Sequence, residues 1–384
     1  MTHSKSICLD NAATTPLSNA SKEYLISILN KWGNPSSLHS LGMEAKQIIS
    51  KARLSVANFI NADPEEIYFV PSGSAGNTLA VKGLTSEDPL LNQYEVFYSP
   101  TAHKSMAKAC ESCMYNKKLK VNSVGKIDLT YLDDILPEYH VWTPLVCIEA
   151  GNSEIGTIND VIEIGSITHK HNGILAVDAT GYIPSYKINM DLWKNYVDLL
   201  IFSGHKLHAL KGIGVLWKRS GIELNPLIYG TQERSIVGGT ENVLGIASLG
   251  KAVEEYNYSS ISSSDRDYVY HSIIKNIPDS YLIGASIESG DRLPQNLYMC
   301  FKGVEGESLM ILLDMNGIQV STGSACNSKS VFVSDTLSAI GLNKKDINSC
   351  IRLSFGEMLQ ETDLDYVCRT LKECVEKLRN LNTQ

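Results

Sequence analysis

Between about residues 64 and 220, short apolar runs alternate with stretches of helical spacing. The runs EEIYFV (65–70), YEVFYS (94–99), HVWTPLVCIEA (140–150), GILAVDAT (173–180), VDLLIFSG (197–204) and GIGVLWK (212–218) read as strands. Several are apolar on both faces, which is the pattern of a sheet covered on each side. Between them, GNTLAVKGL (76–84), HKSMAKACESC (103–113) and VIEIGSITHKH (161–171) carry helical periodicity. Strands alternating with helices predict an α/β layered unit with a largely parallel sheet. The texture changes near SSISSSDRD (259–267), a polar interruption that reads as a lobe boundary. Beyond it, CIRLSFG (350–356) reads as a strand. The segment 363–381 places Leu364, Val367, Cys368, Leu371, Val375 and Leu378 on one helical face.

Composition narrows the class. A chain of 384 residues is too long for one small core, and 43% hydrophobic with 20% charged residues is the balance of a globular enzyme. A net charge of -8 argues against direct nucleic-acid binding, which needs clustered Lys and Arg. No run approaches the length of a membrane span, and the first residues lack the apolar core of a signal peptide, so a cytoplasmic location is expected. Nine cysteines spread over the chain do not suggest a disulfide framework. Cys110 and Cys113 make one C-x-x-C without a second pair or a nearby His, which is weak as a metal motif.

In an open α/β sheet, ligands collect beyond the carboxyl ends of the strands. At those positions stand the small-residue turn 71–77 with Gly73 and Ser74, then His103, Asp178, and the group Ser203, His205 and Lys206. Taken singly, each has a bland reading: an N-cap serine, an aspartate cap, a lysine snorkelling from a strand end. Together they are the parts needed to hold pyridoxal 5'-phosphate: a phosphate cradle, an imidazole to stack on the ring, an acid for the ring nitrogen and an amine for the aldehyde.

Ten segments then carry a resemblance to the cysteine desulfurases of the class V aminotransferase superfamily, the NifS and IscS proteins. They are LDNAATTP (9–16), GNPSSLHSLG (33–42), SGSAGNTLAVKG (72–83), NSEIGTI (152–158), VDAT (177–180), FSGHK (202–206), KGIGVL (211–216), GGTEN (238–242), STGSACNS (321–328) and IRLSFG (351–356). The resemblance implies a fold-type-I pyridoxal phosphate enzyme whose large domain, with a mainly parallel seven-stranded sheet, spans 14–260. A smaller α+β domain would combine 1–13 with 261–384. It also implies a homodimer. Lys206 resembles the lysine that takes the cofactor, Asp178 the partner of its ring nitrogen, and His103 the stacking and proton-moving histidine. Gly73, Ser74, Ser203 and His205 match phosphate-binding positions, and Thr240 matches a threonine that reaches the phosphate across the dimer. Arg352 resembles the arginine that grips the substrate carboxylate, with Asn11 also at the substrate, and Cys326 the nucleophilic cysteine on a longer, IscS-like loop. The implied reaction converts L-cysteine to L-alanine and leaves a persulfide for an acceptor protein.

Three positions depart from the family pattern: Ser153 stands for the second Asn of Asn-Asn-Glu-Ile-Gly, Gly181 for Gln, and Val237 for Arg. The first two normally touch the cofactor's phenolic-oxygen side. They keep open a scaffold with reduced turnover, beside the alternative of a selenocysteine or cysteine lyase that forms no persulfide.

Overall fold

The computed structural model describes residues 6–136, 142–261, 263–322 and 334–382. Twelve strands occur among them: β1 (Ile7–Cys8), β2 (Ile67–Val70), β3 (Tyr94–Tyr98), β4 (Asn116–Lys118), β5 (Thr143–Glu149), β6 (Ile174–Asp178), β7 (Leu199–Ser203), β8 (Gly214–Lys218), β9 (Ser280–Leu282), β10 (Asn296–Phe301), β11 (Ile318–Gln319) and β12 (Cys350–Ser354). Seven of these form one sheet in the order β2-β8-β7-β6-β5-β3-β4. β8 runs antiparallel to both its neighbours, and the remaining pairs are parallel.

The two faces of this sheet explain its unbroken apolar runs. Phe97, Val146, Ile148, Val177, Leu200, Phe202 and Trp217 belong to one buried cluster, covered by the helices Ser40–Ile60, Val161–Lys170 and Val243–Glu254. Their sequence neighbours Val96, Tyr98, Leu145, Cys147, Ala176, Leu199, Ile201 and Leu216 belong to a second cluster on the opposite face, under the helices Gly73–Lys82 and Lys104–Glu111. Strand residues alternate faces, so a strand buried on both sides has no polar register. Cys110 and Cys113 lie buried in that second cluster with Cys147.

β4 escaped the apolar-run reading because it is an edge strand, Asn-Lys-Lys, with both lysines exposed. Charged edges of this kind discourage pairing with another chain.

A third buried cluster gathers Ile7 and Leu9 with residues from 269 to 375, including Leu297, Met299, Phe301, Ile351 and Leu353 of the antiparallel sheet β12-β10-β9. The helix Glu361–Asn382 contributes Leu364, Val367, Leu371 and Val375 as buried side chains, with Cys368 and Leu378 packed at the margin. Ile155 meets Ile283, Tyr298 and Leu337 in a smaller cluster that joins the two sheets' surroundings. Among the described residues, no helix is long and apolar enough to cross a membrane.

Candidate active site

The strand ends of the seven-stranded sheet open into a cleft of about 550 Å³, mouth included, lined among others by Asn11, Ser153, Gly181, Lys206, Gln295 and Phe355. Lys206 closes a single 3-10 turn, Gly204–Lys206, that follows β7 directly. The side chain is crowded by protein, and this desolvation lowers its ammonium to about 8, with Asp178 opposing the shift and Arg352 adding to it. A lysine held there is largely the neutral, nucleophilic amine at mildly alkaline pH.

Asp178 ends β6 and is buried. Its Oδ2 accepts a hydrogen bond from Asn77 Nδ2 at 2.7 Å, and its Oδ1 accepts one from the Thr180 backbone N–H at 2.9 Å. Asn77 Nδ2 also reaches Ser105 Oγ at 3.0 Å. These donors fix the plane of the carboxyl group.

His103 caps the helix Lys104–Glu111, where Nδ1 accepts from the Ser105 N–H at 3.2 Å and lies 2.7 Å from Ser105 Oγ. His103 keeps part of its surface exposed and is not among the residues lining the cleft. Desolvation holds it below its ordinary value, Asp178 pulls it up, and Lys206 pushes it down. That dependence on Asp178 and Lys206 puts the three side chains within electrostatic reach of one another.

The turn before Gly73–Lys82 is capped by Ser72, whose side chain accepts from Ala75 N at 3.1 Å. A Cβ built on Gly73 would stand 3.2 Å from Ser203 Cβ and 3.4 Å from Thr180 Oγ1. The helix N-terminus therefore meets the ends of β6 and β7 in one concave spot, with Ser74 exposed beside it and His205 held by Thr14 Oγ1 at 3.1 Å. Converging N–H groups, hydroxyls and a small-residue opening at a helix N-terminus suit a phosphate. With an acid and an amine opposite, the residues present fit pyridoxal phosphate.

Arg352 lies on β12, half-buried, across the cleft. Its Nη2 pairs with Asp10 Oδ1 at 2.9 Å and its Nη1 donates to the Ser153 carbonyl at 3.0 Å. Asn11 donates through Nδ2 to the carbonyls of Cys8 and Ser354, both at 3.1 Å.

Thr240 stands exposed in the turn that precedes the helix Val243–Glu254, outside the residues lining this cleft. Cys326 lies outside the described residues.

The three unusual positions have local explanations. A Cβ at Gly181 would lie 2.4 Å from the Gly151 carbonyl oxygen, so a side chain there would require the backbone to shift. Ser153 serves through its carbonyl. Val237 packs beside Ile236 against the apolar cluster on one sheet face.

Sequence reading alone passed over Asn77, Thr180, Asp10 and Glu149. Asn77 was legible as a polar residue on the buried side of the helix Gly73–Lys82, but its partner lies 101 positions away.

The fold and the cleft define a class, and comparison with known proteins agrees. The aminotransferase class-V family model matches residues 7–367, and the chain belongs to that family. It is 35% identical to the cysteine desulfurase IscS of Methanosarcina thermophila, over 99% of this chain and 95% of that one. It is 34% identical to the cysteine desulfurase IscS of Dictyoglomus turgidum, over 98% and 96%. Among solved structures, a NifS-like protein superposes with a TM-score of 0.86 at 28% identity, covering 97% of this chain and 100% of that chain. SspA in complex with cysteine superposes with a TM-score of 0.78 at 27% identity, covering 93% and 100%.

Proposed function

We propose that this protein is a pyridoxal phosphate-dependent cysteine desulfurase that converts L-cysteine to L-alanine and passes the sulfur on as a persulfide of Cys326. The observation that carries it is the cleft itself: an amine lowered to about 8 at Lys206, facing a fixed carboxylate at Asp178 and an arginine at Arg352. Near-full-length likeness to proteins named cysteine desulfurase supports the choice among class-V reactions.

The cofactor, when bound, supplies an aldehyde for amines and a ring that accepts the electrons released at the substrate's Cα. The residues for it are Gly73, Ser74, Ser203 and His205 at the phosphate, Asp178 at the ring nitrogen, His103 over the ring face and Lys206 at the aldehyde. Arg352 holds the substrate carboxylate through a planar fork, with Asn11 beside it. Lys206 Nζ, uncharged, takes the Cα proton as general base, and the neutral His103 ring is placed to assist. The Cys326 thiolate attacks the substrate sulfur: the S–S bond forms, the Cβ–S bond breaks, and Cβ gains a proton to give alanine. Cysteine and one thiol become alanine and one persulfide, with no outside oxidant.

The same reading takes 14–260 as the large domain and 1–13 with 261–384 as the small one, which the separate buried clusters support. It also includes a homodimer, in which Thr240 reaches the phosphate of the second subunit, a cytoplasmic location, and a sulfur-acceptor protein. The test is alanine formation from L-cysteine by the holoenzyme and by Cys326→Ala. Loss of sulfide release with the cofactor band retained supports persulfide chemistry. Parental rates in the variant identify a lyase that needs no persulfide, and traces of alanine from the parent identify a scaffold.

A further inference from the structure

Glu149 has no role in the reaction just described. It ends β5 directly beside Asp178 at the end of β6, the two being paired in register. The side chain is 4% exposed. Oε1 meets Thr101 Oγ1 at 2.5 Å and Asn152 Nδ2 at 3.3 Å, while Oε2 has no hydrogen-bond partner among the described residues. No cation pairs with it among the described residues.

The two partners lead to different walls of the cleft. Thr101 Oγ1 lies 2.8 Å from Ser99 Oγ, and the Thr101 N–H donates to that same hydroxyl at 3.2 Å, which shapes the loop delivering His103. Asn152 donates to the Thr101 carbonyl at 2.8 Å, and its Oδ1 accepts from the N–H groups of Glu154 and Ile155, both at 2.9 Å. That turn presents the Ser153 carbonyl to Arg352. One buried carboxyl thus ties the His103 loop to the turn that orients Arg352.

We propose that Glu149 is a positioning residue that holds the His103 loop and the Asn152–Ser153 turn in mutual register across the cleft. It acts as a neutral carboxylic acid. Thr101 Oγ1 and Asn152 Nδ2 donate to Oε1 alone, so a charged carboxylate would be buried with one bare oxygen, no counter-ion among the described residues and Asp178 in register beside it, which disfavours it against the neutral acid. Desolvation raises its pKa in the same sense. Neutrality also keeps a second negative charge away from Asp178.

The proposal rests on the functional reading above for its kinetic arm, and only on that reading's cofactor binding for its spectral arm. The experiment compares Glu149→Gln and Glu149→Leu as purified, cofactor-loaded full-length proteins. Glu149→Gln, which keeps a donor and an acceptor without charge, should stay within about threefold of the parent in kcat and KM. Glu149→Leu should bind the cofactor but lower kcat about tenfold and raise KM for L-cysteine more than about threefold, because both walls lose register. The band of the bound cofactor should change its pH midpoint in Glu149→Leu and not in Glu149→Gln.

Parental behaviour of Glu149→Leu in both kinetics and spectrum would overturn the proposal. Equal damage in the two variants would overturn the neutral form. Should Glu149→Leu not fold, Thr101→Val removes only the hydroxyl: about tenfold lower kcat supports the proposal, and parental kcat with a parental spectrum overturns it. If the parent itself makes no alanine, the functional reading falls, and the spectral comparison still decides for or against Glu149.

Discussion

The two walls of the cleft are built by different means. On the proposed cofactor side, Asp178 ends and Lys206 follows strands whose residues are buried on both sheet faces, so the main chain sets their places and short hydrogen bonds only trim them. On the proposed substrate side, Arg352 sits within β12 of a separate three-stranded sheet, and its direction depends on Asp10 and the Ser153 carbonyl, which come from elsewhere in the chain. The first wall is rigid through backbone packing. The second is an assembly of side chains, and changes there should act on substrate affinity before they act on the cofactor.

The largest effect expected is on the first wall. On the proposed reading Lys206→Ala removes both the covalent partner of the cofactor and the base, and should lower alanine formation by about 10⁴-fold or more, read by amino-acid analysis with the cofactor band monitored in parallel. On the second wall, Arg352→Lys keeps the charge but loses the fork. It should raise KM for L-cysteine about 10- to 100-fold while cofactor uptake stays parental, since charged hydrogen bonds contribute about 1.5–3 kcal/mol each. If cofactor uptake fell as well, the two walls would not be separable in this way.

Asn77→Ala comes next. It strips one donor from Asp178 Oδ2 and should weaken cofactor binding about tenfold, measured by titration of the cofactor-free protein. Smallest is Asp10→Ala. The Asp10–Arg352 pair is partly open to water, so its loss should raise KM only about two- to fivefold.

A pH experiment addresses the first wall alone. Lys206 is ordinarily protonated up to about 10.5 and is held here at about 8. The rate at which cofactor-free protein captures pyridoxal phosphate should therefore rise with pH, with a midpoint near 8, and level off above it. Because the unfolded chain binds the proton more tightly, the cofactor-free protein should also gain stability as pH rises from about 8 to 10.5. A midpoint near 10.5 in Lys206-dependent capture would mean that the amine is not desolvated.

How much of this was legible in sequence follows the same division. The strands with two buried faces announce themselves as apolar runs, and the residues at their ends are chemically suggestive in the sequence itself. The second wall is legible only through family resemblance, because nothing local marks Arg352: its partner Asp10 lies 342 positions away. β4 has no apolar signal at all, since an edge strand needs none. Glu149 falls within an apolar run and is buried. What sequence could not convey is that a carboxyl at that position has one oxygen without a partner.

The central claim is that this cleft moves sulfur from L-cysteine to Cys326. Mass spectrometry of the holoenzyme after one turnover with L-cysteine, with alanine counted in the same sample, tests it most directly. The account predicts one added sulfur on the peptide containing Cys326 and one alanine per active subunit. Alanine formed with sulfide released free, and no sulfur retained on that peptide, would contradict it.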